Sequence, residues 1–298
     1  MNLLWLEQAA AQQPALVGGK AANLSRLAAI YRVPAGFCLT TAAFDRAHYG
    51  SRPGAADLPR SLYAELAEAY QGLAALAGAP DPPVAVRSSA VDEDGDAASF
   101  AGQHETYLNV AGVGAIADAV RRCWMSAQAP RALAYRRERG LALDRVRLAV
   151  LVQQLVAADV SAIVFSANPL SGARDEIVIN ASWGLGESIV GGTVTPDTYI
   201  ARKAGGALLS RRVAEKRRMT ISVAGGTREV DVPRLLQAQP TLSDAQVAEL
   251  AALACSLEQR MGWPVDVECA YAAGRLYLLQ CRPITTLEAL AARARAAA

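Results

Sequence analysis

Residues 265–286 read VDVECAYAAGRLYLLQCRPITT, and the alternation within them decides what kind of fold the chain builds. Val265–Tyr271 and Leu276–Arg282 are two extended runs joined by Ala272-Ala273-Gly274. A three-residue loop with glycine at its left-handed position is a common hairpin connection. Any odd loop length pairs even-numbered positions with even-numbered ones. Asp266, Glu268, Gln280 and Arg282 are therefore expected to share one face at the open end of the hairpin. Ala270, Leu276 and Leu278 would continue that face toward the turn. Two carboxylates, an amide and a guanidinium gathered there resemble a metal–phosphate site, although a surface network of Asp, Glu and Arg would explain them nearly as well.

Upstream of the hairpin, Ser243 and Gln246 make a capping box for a helix whose Val247, Leu250, Ala254, Leu257 and Met261 line one face. The middle of the chain is strand-rich: Arg147–Gln153, Val160–Phe165, Glu176–Ala181, Tyr199–Lys203 and Leu208–Val213, with a glycine-rich connection over residues 184–196. The N-terminal part is mostly helical. Helical spacing predicts a helix from Gly18 to Tyr31, stopped by Val33-Pro34-Ala35-Gly36 and followed by a strand at Phe37–Thr40. Further helices are expected at Thr41–Tyr49, Leu62–Leu76, Val113–Met125 and Arg131–Arg139. Val84-Ala85-Val86 reads as a short strand delivering Arg87-Ser88-Ser89 at its end, before an acidic loop, Asp92–Gly102.

The 298 residues are 52% hydrophobic and 19% charged, enough for a buried core and unlike a disordered chain. A net charge of +2 gives no global reason to expect nucleic acid as a partner. Five scattered cysteines and two histidines, His48 and His104, argue against a disulfide framework and a structural zinc site. The first residues lack the basic start and apolar core of a signal peptide. The most apolar window, Leu148 to Phe165, is interrupted by Gln153, Gln154 and Asp159, so no membrane span is expected and the cytoplasm is the default location. Only three lysines occur, Lys20, Lys203 and Lys216.

Several short constellations could handle phosphate. Gly18-Gly19-Lys20 opens a helix, where free N–H groups and the dipole favour an anion, but a Gly-Gly turn with a surface lysine is the simpler reading and the P-loop spacing is missing. Arg87-Ser88-Ser89 offers a guanidinium and two hydroxyls, or equally a solvated strand end. Gly184-Leu185-Gly186-Glu187 with Gly191-Gly192 fits no dinucleotide fingerprint and reads as a plain turn. The basic run Arg211, Arg212, Lys216, Arg217 and Arg218 lacks interleaved aromatics and reads as a solvated strand edge. His104 has no neighbours that would form a catalytic triad.

Taken together these segments resemble the N-terminal nucleotide-binding domain of phosphoenolpyruvate synthase, pyruvate phosphate dikinase and rifampicin phosphotransferase. The matching stretches, in family order, are LVGGKAANLSRL (16–27), VPAGFCLT (33–40), VRSSAVDEDGDAASFAGQHETYLNV (86–110), VLVQQLV (150–156), NASWGLGESIVGGTVTPDTY (180–199) and the hairpin itself. The resemblance implies one ATP-grasp module over residues 1–286, an α+β architecture whose lobes clamp ATP, followed by an Ala/Arg-rich tail at 287–298. It implies that Lys20 and Arg87 bind the ATP phosphates and that Gly102 and Thr106 belong to a phosphate-side loop. Gln153 matches a residue beside the nucleotide. Glu268 and Gln280 match ligands of magnesium and ATP, Arg282 a further phosphate arginine, and Asp266 completes the D-x-E pair of the dikinases. Magnesium takes oxygen ligands, commonly one or two carboxylates plus phosphate oxygens, so these residue types suit the implied chemistry. Cys269 stands where the family often has tryptophan, Cys281 replaces a small residue and His104 a glutamine; none of these is an implied ligand.

Family enzymes carry a phosphorylated histidine in a T-x-H-x-A setting, and neither His48 nor His104 has that setting. The expected function is thus binding of Mg-ATP and transfer of a pyrophosphoryl or phosphoryl group to a histidine on a separate polypeptide. A non-catalytic ATP-binding sensor and a fragment of a longer dikinase are the alternative readings.

Overall fold

The computed structural model describes residues 1–49, 58–91, 105–138 and 147–287. The acidic loop with Gly102 and His104, and the tail from 288, lie outside the described residues. The chain divides into two compact units, Met1–Leu155 with Ala224–Gly226, and Val156–Val223 with Thr227–Ala298.

The first unit contains β1 (Leu3–Trp5), α1 (Pro14–Leu27), β2 (Gly36–Leu39), α2 (Thr41–Tyr49), α3 (Arg60–Ala77), β3 (Val84–Ala90), β4 (Thr106–Val110), α4 (Val113–Ser126), α5 (Pro130–Glu138) and β5 (Leu148–Gln154). Its strands form one antiparallel sheet in the order β1-β2-β5-β3-β4. Alternation gives the sheet two apolar faces. Phe37, Leu39, Val84, Val86, Val150 and Val152 pack with Leu62, Leu66, Leu73, Ile116, Val120 and Trp124 of α3 and α4 in one buried cluster. The intervening residues of the strands face α1.

Two local expectations change here. The helix begins at Pro14 and is broken at Gly18, whose φ of 74° and ψ of 168° are not helical. Arg87-Ser88-Ser89 does not follow β3 but lies within it, because Arg87, Ser88 and Ser89 pair with Leu151, Val150 and Ala149 of β5. β1 and β4 are short and carry little alternation, and sequence periodicity did not announce either.

The second unit contains β6 (Val160–Phe165), β7 (Glu176–Trp183), a single turn α6 (Glu187–Val190), β8 (Asp197–Arg202), β9 (Leu208–Arg212), β10 (Arg218–Val223), β11 (Gly226–Asp231), a further single turn α7 (Arg234–Gln237), α8 (Asp244–Met261), β12 (Val265–Ala272) and β13 (Arg275–Pro283). Six strands form an antiparallel sheet in the order β13-β12-β6-β7-β8-β9, and β10 and β11 make a separate ribbon. α8 starts with the expected capping box, Ser243 accepting from the Gln246 backbone while the Gln246 side chain accepts from the Ser243 N–H. It covers one face of the sheet. Ala162, Val164, Ile177, Ile179, Ala181, Tyr199, Val267 and Cys269 are buried there, and Tyr271 donates to Glu249 of α8 at 2.6 Å.

The basic run is not a solvated strand edge throughout. Lys216 is fully buried, and its ammonium donates to Asp197 at 2.6 Å and to the Ala214 carbonyl at 2.8 Å. Asp197, also fully buried, accepts in addition from the N–H of Ala214 and from the N–H and hydroxyl of Thr241. A buried ammonium and carboxylate that share this many hydrogen bonds are matched rather than stranded.

Candidate functional site

In the first unit, Gly18 sets the site. A Cβ there would stand 2.2 Å from the Ser89 carbonyl oxygen, so only glycine lets the chain lie this close to β3 and turn through a positive φ. The helix restarts immediately after it. The Ser89 hydroxyl accepts from the Ala21 N–H at 3.2 Å, which occupies one of the free donors at that new N-terminus. Lys20 follows, half-buried, with its ammonium 3.4 Å from the Ser88 carbonyl. Arg87 and Ser89 point to the same side of β3, toward α1, and Thr106 of β4 stands directly opposite Arg87. Lys20, Arg87 and Thr106 are thereby assembled on one side of the sheet from three distant segments. Beneath them the Glu105 carbonyl accepts from the Ser88 N–H and hydroxyl and faces the Cys123 thiol. Burial pushes that thiol up to about 12, so it stays protonated and serves as packing.

Gln153 lies on the same side of the sheet but is 1% exposed, and its amide donates to the Pro34 carbonyl at 3.1 Å. It ties β5 to the turn before β2. Gly102 belongs to the loop outside the described residues.

In the second unit, the hairpin register brings the expected residues together by an unexpected route. Asp266 pairs with Arg282 and Glu268 with Gln280. The loop, however, has two residues rather than three: Ala272 pairs with Arg275, and Ala273 and Gly274 both have positive φ, 49° and 71°. This is the geometry of a primed two-residue turn, which by itself pairs even positions with odd ones. A bulge between Glu268 and Cys269 shifts the register by one, with Leu279 as the extra residue. Even–even pairing holds only from the bulge to the open end. Nearer the turn Ala270 pairs with Tyr277, so Tyr277 continues the polar face, while Leu276 and Leu278 oppose Tyr271 and Cys269 on the α8 side.

The polar face is the one α8 leaves uncovered. Arg282 grips one oxygen of Asp266 through Nε at 2.8 Å and a terminal nitrogen at 2.7 Å. The other oxygen, Oδ1, is buried and has no hydrogen-bond partner among the described residues. Burial raises the Asp266 pKa, Arg282 opposes that, and the neighbouring Glu268 adds to it. A buried carboxylate oxygen without a donor, beside a second carboxylate and the Gln280 amide, suits a hard cation that takes its remaining ligands from phosphate and water. Among the described residues no group of three or more His, Cys, Asp or Glu side chains could hold a metal alone.

The register across the sheet extends this face. Glu268 stands opposite Ile163 of β6, Ile163 opposite Asn180 of β7, and Asn180 opposite Thr198 of β8. Asn180 and Thr198 were not singled out in the sequence. Only the pairing of β7 with β6 and β8 places them on the row of Glu268, although Asn180 opens the family segment 180–199.

Residues 54–297 match the family model described as pyruvate phosphate dikinase, AMP/ATP-binding domain. A probable phosphoenolpyruvate synthase from Methanocaldococcus jannaschii is 43% identical over 234 residues, covering 78% of this chain and 20% of the relative. The phosphoenolpyruvate synthase of Pyrococcus furiosus is 42% identical over 241 residues, covering 78% of this chain and 30% of the relative. A rifampicin phosphotransferase from Streptomyces sviceus is 40% identical over 313 residues, covering 96% of this chain and 36% of the relative. The chain therefore spans about a fifth to a third of the length of these relatives. On the matched span and these identities, the chain belongs to the ATP-binding domain family of the pyruvate phosphate dikinases and phosphoenolpyruvate synthases.

Proposed function

We propose that this chain binds Mg-ATP and performs the ATP half of a dikinase-type phosphotransfer, passing a pyrophosphoryl or phosphoryl group to a histidine outside these 298 residues. The observation that carries the reading is the pairing of two chemically opposite clusters with a family that binds adenine nucleotides. Phosphoryl transfer needs little covalent chemistry from the protein and much positioning of charge. Lys20 and Arg87 would bind phosphate oxygens, the lysine as a mobile point charge and the arginine as a two-donor fork. Thr106, opposite Arg87, adds a hydroxyl, and Gly102 would belong to the same phosphate-side loop. Gln153 would act by holding the Pro34 turn beside the nucleotide. Glu268, Gln280 and Asp266 would hold magnesium, which supplies charge neutralisation at the phosphate oxygens. Asp266 also positions Arg282 for a phosphate. Neither histidine lies in a T-x-H-x-A setting, which supports an acceptor outside these residues.

Calorimetry with Mg-ATP tests the reading. A hydrogen bond to a charged group is worth about 1.5–3 kcal/mol, so Lys20→Ala and Arg87→Ala should each weaken binding by roughly ten- to a hundredfold. Glu268→Gln keeps shape and removes charge, and should raise the magnesium concentration needed for binding. Unchanged ATP affinity in both cation variants would sink the assignment.

A further inference from the structure

We propose that Asn180, oriented by Thr198, is a further phosphate-binding residue of the nucleotide site; the assignment rests on the Mg-ATP reading above. Asn180 lies on the uncovered face of the second unit's sheet, in the cross-strand row Gln280–Glu268–Ile163–Asn180–Thr198. Its flanking residues Ile179 and Ala181 are fully buried beneath α8, whereas Asn180, Ile163, Thr198 and Glu268 are only half-buried. From Glu268 to Thr198 the row is therefore a strip that solvent or a ligand can reach, while Gln280 at its end is buried.

The Thr198 hydroxyl donates to Asn180 Oδ1 at 3.1 Å. That bond engages the amide oxygen, and the amide nitrogen carries two N–H donors for a ligand oxygen. Ile163 separates Asn180 from Glu268 and carries no polar atom on its side chain. Strands lie about 4.8 Å apart, so the two polar residues are rooted about 10 Å from each other. A carboxylate–magnesium–oxygen link spans about 4 Å and an amide–phosphate hydrogen bond about 3 Å, lengths that fill such a gap. A donor at one end of the row and carboxylates at the other match a metal-bound polyphosphate, whose oxygens need both.

The glycine-rich connection lies on the same face. A side chain at Gly186 would meet Ser161 at 3.4 Å, and Ser161 shares the face of Ile163 two residues along β6. Gly184 is fixed there too, its carbonyl accepting from the Ser161 hydroxyl at 2.8 Å. Ser182, next to Asn180 on this face, is fully buried and its hydroxyl has no hydrogen-bond partner among the described residues. The loop thus closes one end of the strip and leaves Asn180 as the amide donor at the boundary.

The experiment is a calorimetric titration of the whole chain with Mg-ATP, Mg-ADP and AMP. Asn180→Ala should weaken Mg-ATP about 10- to 100-fold, as loss of a hydrogen bond to a charged group implies, and leave AMP within a fewfold of wild type. Retained AMP affinity also shows that the variant is folded. Asn180→Asp should weaken Mg-ATP further by adding a like charge. Thr198→Val should cause a smaller loss that does not add to that of Asn180→Ala, and Thr198→Ser should restore binding. If wild type binds ATP and Asn180→Ala binds it equally well, or loses AMP in the same proportion, the assignment of Asn180 fails while the nucleotide reading stands. A wild type that binds none of the three nucleotides overturns both.

Discussion

Lys216 shows how far a single residue can depart from its surroundings in sequence. It lies in a run of arginines, and composition alone reads that run as solvated. Three dimensions separate it: Arg217 and Arg218 pair with Glu215, Glu229 and Asp231 at the surface, while Lys216 is enclosed with Asp197. Periodicity could not reveal this, because the partner is 19 residues away on β8. Removing one member of a buried pair strands the other, at a cost of about 3–5 kcal/mol. Lys216→Met should lower the denaturant midpoint accordingly, and adding Asp197→Asn should recover part of the loss. Equal midpoints for wild type and Lys216→Met would mean that the pair contributes nothing. Gly18 makes the opposite case. Gly18-Gly19-Lys20 was legible as the opening of a helix, but the need for glycine at position 18 itself was not. Gly18→Ala must push a Cβ against the Ser89 backbone at a φ of 74°. A loss of about 2 kcal/mol or more in urea unfolding is expected, from overpacking together with the left-handed strain, and Lys20 should lose its place beside β3.

At the scale of elements, the hairpin at 265–283 is the instructive one. Its strands and its cluster of Asp266, Glu268, Gln280 and Arg282 were readable from alternation, because a half-covered sheet forces every second residue to one side. The means were not readable. Alanine at a positive φ is a poor turn signal, and a bulge at Leu279 leaves no compositional mark. Turn and bulge are two one-residue shifts that cancel at the open end, which is why a three-residue loop predicts the right partners there and the wrong ones near the turn. Deletion separates the two accounts. Removing Leu279 should straighten β13 and still leave Gln280 opposite Glu268, with Mg-ATP affinity within a fewfold of wild type. Removing Cys281, beyond the bulge, should swing Arg282 to the α8 side, break its grip on Asp266 and abolish binding. Calorimetry on the two deletions, with circular dichroism to confirm folding, decides the point; loss of binding in both would show that the bulge itself shapes the site.

For the whole molecule, the question raised by the proposed function is where a transferred group would go. The relatives are three to five times longer than the aligned portion of this chain, and their synthase and phosphotransferase activities belong to the full proteins. What these 298 residues offer is cations on one sheet, carboxylates on another, and no nucleophile in a recognisable setting. Burial holds the thiols of Cys38, Cys123 and Cys269 protonated, so they are poor phosphoryl acceptors. Hydrolysis by water is the competing outcome, and sites of this kind limit it by excluding water. The chain alone should therefore bind Mg-ATP with little net turnover. Adding a domain of the same family that carries the T-x-H-x-A histidine should yield AMP from labelled ATP, together with an acid-labile phosphoprotein. Both products should vanish when that histidine is replaced. Glu268→Gln or Arg87→Ala in this chain should suppress both while the added domain stays unchanged, which assigns the activity to the clusters described above. Stoichiometric phosphorylation of His48 or His104 in the chain alone would instead place the acceptor within it.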